Sequence, residues 1–198
     1  MTKAPRDAVE IEKIRDAIIE AAVAIIHKSG FQMLTMRKIA ARMGMSASNL
    51  YNYFANKDEI YITILIRGFR LLHDELIQVT EGEPDPLERA KRFISTYLAF
   101  GIQNYHYYEI MFSPALPKYA DYADSPLEGL ARVELEFSRK IIDMALGAIG
   151  RIMENEGNAD RNEGIRRMIE IWSMLHGMIS LRNSKLIEYV VADPDAIY

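Results

Sequence analysis

The sequence contains no cysteine. Disulfide frameworks, zinc–cysteine sites, iron–sulfur clusters and cysteine nucleophiles are excluded at once, and the absence suits a reducing compartment. Proline and glycine are also scarce, 7 and 11 in 198 residues. A bilayer-spanning run is missing too: the most apolar stretch, residues 17–26, is interrupted by Glu20 and falls short of the roughly 20 residues a span needs. Near the start, Glu10, Glu12, Lys13, Arg15 and Asp16 break up what would have to be the apolar core of a secretion signal. The expectation is a soluble, cytoplasmic protein with no membrane association.

Signatures of catalysis are missing as well. There is no Gly-x-Gly-x-x-Gly, no phosphate-binding loop, no Gly-x-Ser-x-Gly and no His-Glu-x-x-His. His27, His73, His106 and His176 are scattered, and none follows a glutamate by three residues as a di-iron bundle requires. His106 and Glu109 stand at helical spacing for a shared metal, but a polar surface pair accounts for them better. No catalytic residue, metal or cofactor is expected. An enzymatic or metal-binding bundle therefore lacks its constellation, and an adaptor that uses only its helical surface is the other competing reading.

What the chain does have is apolar residues, 49% of the total, recurring at three-and-four spacing. That pattern predicts an all-α fold with a sizeable core. A first helix is expected over residues 8–27, with Ile11, Ile14, Ile18, Ala21, Ala22 and Ile25 on its apolar face and Ser29-Gly30 at its end. Thr35 is a good N-cap for a short helix over 36–43, Gly44 supplies a turn, and Ser46 caps a second short helix over 47–54 that buries Leu50 and Phe54. Two short capped helices three residues apart are the signature of a helix-turn-helix. Asn56 with Glu59 reads as a capping box that opens a longer helix over 57–79.

Asp85-Pro86 then caps a helix over 86–103. A short aromatic helix over 104–112 and an irregular loop over 113–124 follow. Ser125-Pro126-Leu127-Glu128 opens a long helix to about residue 154. Further helices are expected over 163–181 and 183–191. The domain division predicted is a three-helix helix-turn-helix domain over 1–56 and a larger helical-bundle regulatory domain over 57–198. The formal net charge is −4, yet residues 1–60 carry 9 Lys and Arg against 7 Asp and Glu, leaving 15 against 21 for the rest. The N-terminal portion is thus the better partner for a polyanion.

The run from Leu34 to Tyr61 resembles the DNA-binding region of the TetR family of transcription regulators. The resemblance rests on Thr35 before the second helix, Ile39-Ala40 within it, Gly44 in the turn, Leu50-Tyr51-x-Tyr53-Phe54 in the recognition helix and Asn56-Lys57-Asp58-Glu59 at the next helix start, with Gly30-Phe31 ending the first helix. It covers the first third of the chain. Farther on, Trp172 with His176-Gly177, after an aromatic segment, is similar to one class of the family's regulatory domains. The resemblance implies a homodimer that binds a palindromic operator in double-stranded DNA. Release of the operator by a small, largely apolar or aromatic effector is the usual behaviour of the family.

With Leu50 and Phe54 buried, Ser48, Asn49 and Asn52 are free to face DNA, and asparagine can pair bidentately with adenine. Ser46, which caps that helix, is counted in the same surface. Thr35 at a helix N-terminus suits a phosphate, and Arg37 can reach a phosphate or a guanine, with Lys38 and Arg42 adding charge. The family pattern adds Tyr51, Tyr53 and Lys57 as phosphate contacts; Tyr53 can equally be partly buried. Met36 and Ala47 depart from the polar residues common in relatives, so Met36 is a poor base reader and Ala47 offers only apolar contact. Lys3 and Arg6 can form an arm along the DNA backbone.

The expected effector pocket comprises Phe93, Tyr97, Phe100, Tyr108, Met111, Phe112, Trp172 and His176, with Tyr hydroxyls or His176 as polar anchors. An ordinary aromatic core explains any one of them as well. Met168, Ile171, Leu175, Met178 and Ile179 are candidates for the dimer surface, although periodicity cannot separate partner-facing from core-facing positions. An effector would favour a dimer whose recognition helices are badly spaced for the operator.

Overall fold

A computed structural model describes residues 7–157 and 160–197. Lys3 and Arg6, the expected arm, lie outside the described residues. The described residues form eight α-helices and no strand: α1 (Ala8–Ser29), α2 (Met36–Arg42), α3 (Ala47–Leu50), α4 (Lys57–Thr80), α5 (Pro86–Gln103), α6 (Tyr105–Phe112), α7 (Glu128–Asn155) and α8 (Arg161–Asn183). Short 3-10 turns follow α1 at Phe31–Met33, α6 at Tyr119–Tyr122 and α8 at Leu186–Tyr189, with one more at Pro194–Ile197. No helix among the described residues is long and apolar enough to cross a membrane.

The chain divides into two compact units. One holds the described residues up to Gly68 together with Glu109–Glu134; the other holds Phe69–Tyr108 and the residues from Leu135 onward. The breaks fall inside α4, α6 and α7.

In the first unit, Asp7 caps α1 by accepting from the Glu10 amide at 2.7 Å, and Gly30 ends it with a left-handed φ of 80°. Ile18, Ala21 and Ala22 are buried as expected, joined by Ile19, Val23 and Ile26. Ile11 is 39% exposed, contrary to expectation. The whole stretch 8–13 is exposed, so the first turns of α1 extend past what covers the remainder. Ile60, Tyr61, Ile62 and Ile64 of α4 are all essentially inaccessible. Tyr61 satisfies its hydroxyl by donating to the Pro117 carbonyl at 3.0 Å, and burial raises its pKa well above the usual phenol value. It remains a neutral donor.

In the second unit, Asp85 caps α5 by accepting from the amides of Leu87 and Glu88, and Pro86 occupies the first helical position, where a missing N–H costs nothing. α5 packs on α8 at very short range around Gly101. A Cβ there would stand 2.5 Å from Ile179 Cδ1, and Asn183 Nδ2 donates to the Gly101 carbonyl at 3.0 Å. α8 runs through to Asn183, and no separate helix covers 183–191; Lys185 adopts left-handed φ 60° and breaks the helix before the 3-10 turn. α7 begins at Glu128 rather than at Pro126, although Ser125 Oγ still accepts from Leu127 N at 3.1 Å and Glu128 from Asp124 N at 3.1 Å.

The contact at Gly101 makes a direct prediction. Gly101→Ala should destabilise the chain by about 1–3 kcal/mol through overpacking, read as a lowered melting temperature, and Ile179→Ala in that background should restore part of it. An unchanged melting temperature would show that the two helices do not approach this closely.

Candidate functional site

The residues that follow α1 build a small, deliberately capped surface. Thr35 Oγ1 accepts from the Lys38 amide at 3.2 Å and starts α2. Met36, Ile39 and Ala40 are buried, which turns Arg37, Lys38 and Arg42 outward. Met36 therefore sits in the core and is no base reader. At the other end of α2, Gly44 takes φ 64°, its amide donates to Ala41 O at 3.2 Å, and the Met45 amide donates to Ala40 O at 3.0 Å. This paired arrangement satisfies the last carbonyls and reverses the chain within three residues. A β-carbon at Gly44 would be strained in that conformation.

Ser46 Oγ then accepts from the Asn49 amide at 3.1 Å and starts α3. Only Ala47–Leu50 is regular α-helix, shorter than the expected 47–54. The amides of Asn52 and Tyr53 bond three residues back, to Asn49 O and Leu50 O, so the last turn tightens while the chain keeps its helical course to Phe54. Leu50 and Phe54 are 0% and 1% exposed. Ser48, Tyr51 and Asn52 are exposed, and Asn49 is half-buried with its amide 3.4 Å from that of Asn52.

Two expected phosphate contacts are placed differently from the rest. Tyr53 is buried, at 7% exposure, and belongs to the core of the unit rather than to its exposed surface. Lys57 lays its ammonium 4.8 Å from the centre of the Phe31 ring, which orients it without neutralising it. Between Phe31 and Lys57 the sequence holds four cationic residues and no acidic one. The exposed side of α2 and α3 is accordingly electropositive.

Arg15 of α1 escaped the sequence reading, where it was only a charge interrupting an apolar segment. Its guanidinium lies 4.0 Å from the centre of the Phe54 ring, donates to the Tyr53 carbonyl and faces Glu59 Oε1 at 4.0 Å. Nothing in the spacing of a single sequence pairs residues 38 apart in this way.

In the second unit Phe93, Tyr97, Phe100 and Tyr108 are buried, Trp172 is 38% exposed and His176 is half-buried. Met111 and Phe112 belong to the first unit. Trp172 Nε1 donates to Tyr97 Oη at 2.9 Å; Tyr97 Oη lies 3.3 Å from His176 Nε2 and Tyr108 Oη 2.5 Å from His176 Nδ1. The two tyrosine hydroxyls also bond one another. Burial pushes the Tyr97 hydroxyl up to about 12 and raises that of Tyr108 further, so both stay protonated. Two hydroxyl protons and one imidazole N–H then match the three contacts among Tyr97, Tyr108 and His176. A second proton on the ring would disrupt that balance, and burial correspondingly lowers the His176 pKa. Among the described residues no group of three or more His, Asp or Glu is placed to hold a metal, and Glu109 pairs with His27 at 3.4 Å.

The His176 shift has a definite sign. Its folded pKa lies below the ordinary 6.5, so as pH falls through 6.5 the unfolded chain takes up a proton that the folded chain refuses, and stability declines. Melting temperature should fall more steeply from pH 7.5 to pH 5.5 in the wild type than in His176→Gln. Parallel profiles would mean that the folded chain protonates His176 as readily as the unfolded one.

The profile described as "Bacterial regulatory proteins, tetR family" matches residues 18–64, and that described as "Tetracyclin repressor-like, C-terminal domain" matches residues 90–198, more than half of the chain. The transcriptional repressor KstR2 of Mycobacterium tuberculosis is 30% identical over 103 residues, 51% of this chain and 50% of the relative. The chain thus spans about half the length of that curated relative. A TetR-family regulator from Bordetella parapertussis superposes with a TM-score of 0.70 at 22% identity, covering 85% of this chain and 83% of that one. The fatty acid degradation regulator FadR from Bacillus halodurans does so with a TM-score of 0.63 at 18% identity, covering 100% and 92%. The helix-turn-helix at α2–α3, followed by a helical regulatory region, is the fold of these proteins. The chain belongs to the TetR family of bacterial helix-turn-helix regulatory proteins.

Proposed function

We propose that the chain is a homodimeric repressor that leaves a palindromic operator when a small, largely apolar effector binds. The observation that carries the DNA half of this reading is the sidedness of α2 and α3. Leu50, Phe54, Ile39 and Ala40 are buried, while Ser48, Asn52, Tyr51 and Arg37 are exposed on an electropositive surface. Ser48, Asn49 and Asn52 read base edges; Thr35, Arg37, Ser46, Tyr51 and Lys57 take the backbone. Tyr53, largely buried, contributes at most its edge. Residues 1–56 serve as the DNA-binding domain and 57–198 as the effector and dimer domain.

A second copy is required because one short helix reads too few bases, and a two-fold dimer presents two of them about 34 Å apart. α8 supports this: Ile169, Met174 and Leu181 are exposed on the single chain at 50%, 56% and 43%. Of the residues expected at that surface, Leu175 and Ile179 are in the core of their own chain, while Met168, Ile171 and Met178 are half-buried.

The effector half rests on the aromatic cluster. Tyr97, Tyr108, Trp172 and His176 satisfy one another, so a ligand with one polar group and an apolar body enters by replacing one of those bonds and packing on Phe93 and Phe100. Met111 and Phe112 adjoin in sequence rather than in the same unit. α6 gives this reading its regulatory sense: Tyr108 bonds His176 of α8, and the next residue, Glu109, bonds His27 of α1. The relatives' names agree in kind, one being a repressor and another a regulator of fatty acid degradation.

Selection of bound duplexes from a random pool by the purified protein tests the reading. A palindromic site is expected, bound with a steep salt dependence. On it, Lys57→Ala should weaken binding to every sequence and flatten the salt slope by about one, whereas Asn49→Ala should change base preference. A pool with no enriched site in the absence of any ligand would count against repression by the free protein.

A further inference from the structure

We propose that Arg15 is the positioning residue that holds the recognition segment for specific DNA reading. α3 has four helical residues, too few to persist alone, and the Ala47, Asn49 and Leu50 carbonyls are taken by the amides of Tyr51, Asn52, Tyr53 and Phe54. Arg15 holds the chain just past the helix by donating to the Tyr53 carbonyl. Its guanidinium carbon lies over the Phe54 ring, 4.0 Å from the centroid. Its other nitrogen faces Glu59 Oε1 at 4.0 Å, and Glu59 Oε2 accepts from the Ala55 amide at 2.6 Å.

One α1 side chain thereby meets three points of the junction from α3 to α4, of which Tyr53 directly follows Asn52. A cation also suits the C-terminal end of a helix. Lysine cannot substitute, because an ammonium lacks both the planar face and the two-pronged donor set. The effect on DNA is exerted through the orientation of Ser48, Asn49 and Asn52, without contact of Arg15 with a base.

The inference rests on the DNA reading above, and the test separates the two. Affinity is measured for the selected duplex and for a scrambled duplex of equal length, across a salt series, in wild type, Arg15→Gln, Arg15→Lys and Glu59→Gln. If the wild type does not discriminate between the duplexes, the DNA reading fails. If it does, Arg15→Gln should reduce the ratio of the two affinities by on the order of tenfold, the loss of a charge-assisted hydrogen bond. Its salt slope on scrambled DNA should stay that of the wild type, Arg15→Lys should shift the ratio in the same direction, and Glu59→Gln should do so more weakly. Equal losses on both duplexes with a slope lower by about one would make Arg15 a phosphate contact and overturn the proposal. An unchanged ratio would overturn it too. Should Arg15→Gln fail to fold by circular dichroism, Arg15→Lys decides on the same ratio.

Discussion

The burial of Leu50 and Phe54 is the constraint on which the exposed polar surface of α2 and α3 depends. A helix of four regular residues has no stability of its own, so its orientation is inherited from what it buries and from its caps. Ser46 fixes its beginning, Gly44 the turn into it, and Arg15 meets the chain just past its end. Because Leu50 and Phe54 face inward, Ser48, Tyr51 and Asn52 face out. The polar character of the exposed side then follows from the pattern, and its positive potential from the absence of acidic residues between Phe31 and Lys57.

The second unit obeys a different constraint, polar satisfaction in an aromatic interior. Tyr97 and Tyr108 are buried, and each hydroxyl would be costly without a partner. His176 and Trp172 supply those partners, and the arrangement balances only with a neutral imidazole. Under the proposed function, a ligand entering here would have to repair each bond it breaks, which would favour molecules with a single acceptor or donor group on an apolar frame. Close packing at Gly101 holds α5, which carries Tyr97, against α8, which carries Trp172 and His176. Geometry of the cluster is thus fixed by a glycine that the aromatic pattern does not mention.

Local chemistry was the part of the fold most readable in the sequence. Thr35, Ser46, Asp85 and Asn56 all cap the helices expected of them, because a cap is decided within three or four residues. Where the outcome depended on distant residues, periodicity misled. Ile11 sits on the expected face of α1 yet is exposed, since nothing among the described residues covers the first turns. Asn183-Ser184 looked like the start of a helix and is the end of one, closed by Lys185 in a left-handed conformation with no glycine to announce it. The exposure of Ser48 and Asn52 was legible from their spacing relative to Leu50 and Phe54. Arg15 was not, because its partners Tyr53, Phe54 and Glu59 come together only through tertiary structure.

Amide hydrogen exchange on the free protein tests most directly whether tertiary burial holds the recognition segment. The amides of Leu50, Tyr53 and Phe54 all donate to backbone carbonyls of this segment. They should open with the same free energy as those of Ala22 and Ile26 in α1, because the segment and the helices around it unfold as one unit. Exchange of the α3 amides orders of magnitude faster than that of α1 would show that the segment opens alone, and would contradict the account.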